Sequence, residues 1–422
     1  MNFPLDNAFD EHWIFVQRYQ ETSFNIAVRA MIDYKFTKKQ ILDALSGLAQ
    51  IHPYLCGKVV ENANTTHRFH LKHEDGNTIS HLLITTNAVE LNKIFQEKSA
   101  QREHLFGIEN GELIHLHVWQ DESRSLVELS GPHLLGDVTA FLLLFKDLLS
   151  HLDSSIIGTE LKPIQKQRLP FDEKRYGWDV ETQQVTPLPL PEGAPIAPDK
   201  WPSPNFQYGK YNIDKNQFNK IKYWLKSKEC EASVSDLFYY IAIKLYREAG
   251  DHETNFSTIL SFRPLLVGEN EQCNINTSAI FSIIDSKTIE EDNIFSWMEK
   301  LNKTRLENLT PSGIMGLMNF LRCLNKSLYQ DGNSRGRALL NAYLPINLFA
   351  INNFGVVDKY FQAQSFNVTE IDIQDGVPCE EVRIFTYKNN LHMHPMLSEN
   401  GVFNPDSFWK KFNHELDIIL SM

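Results

Sequence analysis

The segment Ser130-Gly-Pro-His133-Leu-Leu-Gly136-Asp137 sets a histidine and an aspartate four residues apart, where a strand-like pattern gives way to a helical one. An imidazole titrates near pH ~6.5, so at neutral pH His133 can take a proton from a nucleophile and return it to a leaving group. Cleaving a thioester asks for little more: a deprotonated nucleophile, correct placement and a stabilised oxyanion. The plain alternative is structural. A His-x-x-x-Asp pair arises often by chance, and Asp137 has a sufficient role as N-cap of the following helix, worth about 1 kcal/mol.

The elements that must hold this junction are legible. Strand patterns cover Leu113–Trp119 and Ser125–Ser130, Gly131-Pro132 turns the chain, and Phe141, Leu144, Phe145, Leu148 and Leu152 give 138–152 a helical apolar face. Upstream, 24–34 alternates as a strand. Thr37 and Gln40 form a capping box for a helix carrying Ile41, Leu45, Leu48 and Ala49, and His52-Pro53 ends it. Short strands are expected near 55–60, 67–72 and 80–86, and a helix over 91–98. Residues 187–204 hold seven of the 18 prolines, the composition of a semi-extended surface crossover. Beyond it, strands are expected at 206–213, 256–263, 345–351, 380–387 and 392–397. Helices are expected at 215–228, between Ser233 and Gly250, at 294–308, at 312–329 and from Asn404-Pro405 onward. Helices and strands mix without strict βαβα alternation. The fold class is therefore α+β in two lobes, 1–184 and 206–422, joined by a proline-rich linker over 185–205.

Composition narrows the function. With 422 residues, two or three domains or lobes are expected. The net charge of −12, with no run of Lys or Arg longer than two, argues against nucleic acid or an anionic membrane as principal partner. Five scattered cysteines with no CxxC pair fit a reduced compartment. The N-terminus lacks a basic region followed by an apolar one, and no apolar stretch approaches the ~20 residues of a membrane span, so a cytoplasmic protein is expected. His67, His70 and His73 do not share a strand face. The pairs His115/His117 and His392/His394 do, but lack a clear third ligand, so no metal is expected. Asp372, Asp375 and Gly376 lack the other ligands of an EF-hand. No glycine-rich phosphate loop is present, and Pro132 and His133 interrupt Gly131–Gly136, so no nucleotide cofactor is indicated.

At this point the chain resembles a known superfamily, the thioester-dependent acyltransferases with a His-x-x-x-Asp motif. These include chloramphenicol acetyltransferase, peptide-synthetase condensation domains, plant BAHD enzymes, wax ester synthases and polyketide-associated acyltransferases. His133 and Asp137 match the motif. Ile41–Leu55 with its His52-Pro53-Tyr54-Leu55 ending is similar to the first helix. Ser233–Tyr246 is similar to the opening helix of the second lobe, Leu260-Ser-Phe-Arg263-Pro264 to a strand ending in Arg-Pro, Asn353-Phe354-Gly355 to a late turn, and Glu381–Leu420 to the closing strands and helix. The resemblance implies two chloramphenicol-acetyltransferase-like lobes forming a pseudo-dimer with a tunnel between them. It implies His133 as general base, Asp137 turned away to pair with Arg263, and Gly136 and Gly355 as backbone positions supporting the site. No cofactor would be bound. Acyl-CoA or a phosphopantetheinyl carrier would serve as co-substrate and an alcohol or amine as acceptor, with an acyl or peptidyl carrier protein as a partner. Two departures stand out. Pro132 occupies a position where many relatives have a second histidine, which points away from a typical peptide-synthetase condensation domain. Val138 stands where many have glycine. Both motivate an alternative, a non-catalytic condensation-like platform that docks carrier proteins.

Overall fold

The computed structural model describes residues 2–5, 8–20, 25–61, 69–73, 83–101, 106–159, 161, 164–165, 186, 189, 205–261, 279–284, 293–343, 348–376 and 379–422. Most of the proline-rich crossover, and Arg263 and Pro264, lie outside them.

The first half opens with β1 (Asn2–Pro4) and α1 (Ala8–Gln20), continues through β2 (Asn25–Ile32) and α2 (Lys38–Ile51), then β3 (Gly57–Glu61), β4 (Phe69–His73), β5 (Leu83–Asn87) and α3 (Leu91–Ala100). It closes with β6 (His115–Gln120), β7 (Ser125–Pro132) and α4 (Val138–Ile157). The second half runs β8 (Phe206–Tyr208), β9 (Tyr211–Ile213), α5 (Lys215–Ser227), α6 (Val234–Glu248), β10 (Asn255–Ser261), β11 (Ala279–Ile284), α7 (Ile294–Asn308) and α8 (Pro311–Tyr343). Then come β12 (Leu348–Val356), β13 (Val368–Gln374), β14 (Glu380–Tyr387), β15 (Asn390–Ser398) and α9 (Pro405–Ser421).

Helices and sheets are mixed, as the α+β reading expects. The local signals act where they were read. Thr37 Oγ1 accepts from Gln40 N at 3.2 Å while Gln40 Oε1 accepts from Thr37 N at 2.8 Å, a complete capping box. Asn404 accepts from Ser407 N at 2.8 Å with Pro405 at the first helical position.

Among the described residues the strands form three sheets. A small one has the order β1-β4-β3, a five-stranded one β13-β2-β7-β6-β5, and a larger one β11-β10-β12-β14-β15-β8 with β9 also on β15. The five-stranded sheet is completed from the second half: β13 pairs antiparallel with β2, Ile371 opposite Ala30 and Ile373 opposite Val28. Its core likewise mixes the halves, since Leu48, Phe141 and Leu148 pack in one cluster with Leu324, Leu339 and Ile373. A second core gathers Ile221, Phe238, Ile243, Phe349, Val382 and Phe412.

Two elements differ from expectation for identifiable reasons. The strand expected over 206–213 is two short ones, because Pro395 of β15 lies opposite the break and has no N–H to give, while Gly209 N still donates to Pro395 O at 2.9 Å. Helix α8 runs on through Asp331-Gly332-Asn333-Ser334, which locally favours a turn. Leu328 and Leu339 lie about three turns apart on one face, and both are fully buried in the first core, so packing on either side overrides the local preference.

A buried polar network joins the five-stranded sheet to the larger one. Arg29 (β2) pairs with Glu128 (β7) and donates to Asp372 Oδ2 at 3.1 Å and Gln374 Oε1 at 3.0 Å on β13. From the other sheet, Arg383 (β14) pairs with Glu381 at 2.7 Å and approaches Asp372 at 3.5 Å. His394 (β15) contacts Asp372 at 3.0 Å, and Tyr208 (β8) lies 2.8 Å from His394. Asp372 and Asp375, the pair that superficially resembled a calcium loop, are thus committed internally: Asp375 accepts from Asn352.

Candidate active site

Strand β7 delivers the chain to the junction at one glycine. A Cβ on Gly131 would stand 2.6 Å from the Leu113 carbonyl oxygen and 3.0 Å from the Phe141 ring, so only glycine lets β7 pass this close to the neighbouring backbone. Gly131→Ala forces backbone to move, and a destabilisation of about 1–3 kcal/mol in urea unfolding is expected.

His133–Leu135 then form one 3₁₀ turn, and Gly136 adopts φ 157°, ψ −173°, a conformation belonging essentially to glycine. Asp137 caps α4, its Oδ1 accepting from Ala140 N at 2.9 Å. Val138 opens the helix and is buried in the first core.

His133 itself is only 8% exposed. Burial lowers its proton affinity to about 4, against opposing contributions from its own backbone and from Asp137. The ring is therefore a neutral base at physiological pH. Trp13, on α1, stacks on it with ring centroids 4.0 Å apart and planes 16° from parallel.

His133, Gly136 and Asp137 thus come together in one turn. Arg263, named as the partner of Asp137, falls outside the described residues. Gly355 is elsewhere, near the end of β12, at φ 70°, where its N–H donates to Asn353 Oδ1 at 2.9 Å. A Cβ there meets nothing within 4 Å. Gly355→Ala therefore costs only the left-handed backbone, about 1–2 kcal/mol, with no loss of core contacts; a shift in unfolding midpoint without a change in catalytic rate checks it.

Residues that sequence reading passed over are Trp13 and its neighbour His12. Their helix has buried positions at Asp10, His12, Ile14, Phe15 and Val16, and no local motif there marks a site. The strand histidines read as bystanders have other duties: His117 stacks on Trp119 at 3.5 Å, His392 stacks on Phe385 at 5.0 Å, and His394 belongs to the buried network. His67 lies outside the described residues. Among the described residues no group of three or more His, Cys, Asp or Glu is placed to hold a metal, and no helix is long and apolar enough to cross a membrane.

No protein-family model and no curated protein matches this sequence. Solved structures do match. The condensation domain of the Monacolin K polyketide synthase is 13% identical over 100% of this chain and 97% of its own, with a TM-score of 0.62. The fold is that of the condensation domains. Polyketide synthase associated protein 5 from Mycobacterium tuberculosis shares it at 14% identity, covering 100% of this chain and 99% of its own with a TM-score of 0.62. So does a trichothecene 15-O-acetyltransferase from Fusarium sporotrichioides, at 11% identity over 99% and 95% with a TM-score of 0.60. The condensation-domain fold spans the described N- and C-terminal elements alike. At these identities it is the architecture that is shared, and the chemistry must be argued from the junction itself.

Proposed function

We propose that this chain is an acyltransferase that moves an acyl group from a thioester donor, coenzyme A or a phosphopantetheinyl carrier protein, to a hydroxyl or amine, with His133 as general base. One observation carries this reading: a buried imidazole, neutral at physiological pH, fixed in a one-turn 3₁₀ segment between β7 and the capped start of α4. Such a ring takes the proton of the acceptor as its oxygen or nitrogen attacks the thioester carbonyl. The tetrahedral oxyanion collapses, the carbon–sulfur bond breaks, and the thiolate leaves with the proton returned by the imidazolium. Nothing in this sequence of steps calls on a bound cofactor. Asp137 acts on the loop as cap and on the ring through its charge, without touching the reacting atoms.

The neighbours with this fold include condensation domains and an acetyltransferase, which agrees with the reading. A panel of acetyl- and longer acyl-CoA donors with alcohol and amine acceptors, followed by free-thiol release, tests it. Thiol release that depends on an acceptor supports the proposal.

A second reading has its own observation. Trp13 covers one face of the His133 ring, and the ring has little exposure, as expected of a condensation-like platform that docks carrier proteins without transferring their cargo. Saturable binding of a loaded carrier protein, with no thiol released under any acceptor, selects this reading.

A further inference from the structure

His12 lies one residue before the tryptophan that stacks on His133, is 5% exposed, and takes no part in the steps above. Its Nδ1 lies 3.3 Å from Asn325 Oδ1 on α8, the helix along which α1 packs. A carbonyl oxygen only accepts, so the ring donates from Nδ1 and its neutral tautomer is fixed. The His12 and Trp13 rings are 5.6 Å apart, and Trp13 is 4.0 Å from His133. A chain of contacts therefore runs from α8 through one hydrogen bond to α1, and through one stacked pair to the candidate base.

We propose that His12 is a positioning residue of the acyl-transfer site, an imidazole tied to Asn325 that fixes α1 so that Trp13 holds the His133 ring. The proposal rests on the reading of His133 as the base. The electrostatics are consistent with a neutral clamp. Burial lowers the proton affinity of His12 to about 4; Asn325 opposes this and His133 adds to it. A charged His12 would place a second positive charge beside the imidazolium that His133 becomes during transfer, and two such sites resist holding two protons. Among the described residues, Asn325 on α8 and His133 in the turn act on His12, and Asp137 and its own backbone act on His133.

The test uses the full chain with ring-labelled histidine. A stacked indole shifts the His133 Cε1 proton upfield, so this resonance reports the stack directly. His12→Phe keeps the volume and removes both ring nitrogens; Asn325→Leu keeps His12 and removes its acceptor; His12→Asn restores a donor at the Nδ1 position. The expected result is loss of the upfield shift in the first two variants and its retention in the third. In parallel, kcat should fall about tenfold in the first two, one decade being ~1.4 kcal/mol of transition-state placement, with KM for the acyl donor unchanged and recovery to within roughly threefold in His12→Asn. An unchanged resonance in His12→Phe and Asn325→Leu overturns the proposal, as does an equal loss in His12→Asn. The resonance does not depend on turnover. If His133→Ala proves fully active while the resonance still responds to His12, the reading of His133 as base fails and the clamp stands.

Discussion

Replacing His133 with alanine is expected to lower acyl transfer by at least about 100-fold, the lower end of what a positioned general base contributes. The change should appear in kcat and kcat/KM together, because the proton is accepted only as the nucleophile attacks. It should not unfold the chain. The core beside the turn is built by Leu134, Leu135, Phe141 and Leu144, all buried, and Asp137 still caps α4. What alanine removes from the packing is the surface under Trp13. Loss of that stack would add about 0.5–1.5 kcal/mol of destabilisation, small for a chain of this size. Far-ultraviolet circular dichroism and unfolding midpoint measured beside thiol release separate lost chemistry from lost fold. Unchanged turnover in a folded variant removes His133 from the mechanism.

The second large effect is expected far from the chemistry. Asp372→Ala should destabilise the protein by about 3–5 kcal/mol, because it strips the shared acid from between two buried arginines. Arg29, Arg383, Asp372 and His394 are all fully buried. Burial alone would push the Asp372 carboxyl upward, yet Arg383, His394 and Arg29 together hold it far below the usual carboxylate range. Without it, Glu128 remains paired with Arg29 and Glu381 with Arg383, but the acid shared between the two arginines is gone. The sign of the pH dependence follows. A carboxyl whose folded affinity for protons is depressed adds stability that is complete above its unfolded value, near ~4, and is lost as pH falls through the folded one. The wild type should therefore keep this contribution at neutral pH and shed it only in strong acid, whereas Asp372→Ala lacks it at every pH. Denaturant unfolding of both proteins at pH 7, at pH 4 and in strong acid near pH 2 checks both statements, the gap between them narrowing only at the last. A change under about 1 kcal/mol at pH 7, the size of an ordinary substitution, would show that the network does not join the sheets as described.

The junction carrying His133 and Asp137 was legible because its signals are local. A glycine, a turn and a cap lie within one stretch of chain, and each acts through its own backbone. Helix α2 with its capping box and helix α7 over 294–308 were readable for the same reason. What escaped depends on contacts distant in sequence. Strand β13 reads Val-Thr-Glu-Ile-Asp-Ile-Gln, and its acid at 372 looks solvent-facing until Arg29, hundreds of residues away, is brought beside it. Pairing of β13 with β2 likewise cannot be seen in the periodicity of either strand. Helix α1 has an ordinary apolar face, and nothing in it announces that Trp13 will lie on His133. The resemblance to acyltransferases implies that Asp137 pairs with Arg263, which lies outside the described residues, while the cap that Asp137 places on α4 is a role open to it from its position alone.

The central claim is that a neutral, buried His133 is the base, and the pH dependence of kcat/KM for thiol release tests it most directly. Because burial lowers the proton affinity of His133 to about 4, the rate should stay level as pH falls through 6.5 and drop only near pH 4, and the slow residual reaction of His133→Ala should lack that drop. A wild-type profile that falls at the ordinary imidazole value, or a His133→Ala variant that keeps both rate and profile, would contradict the account.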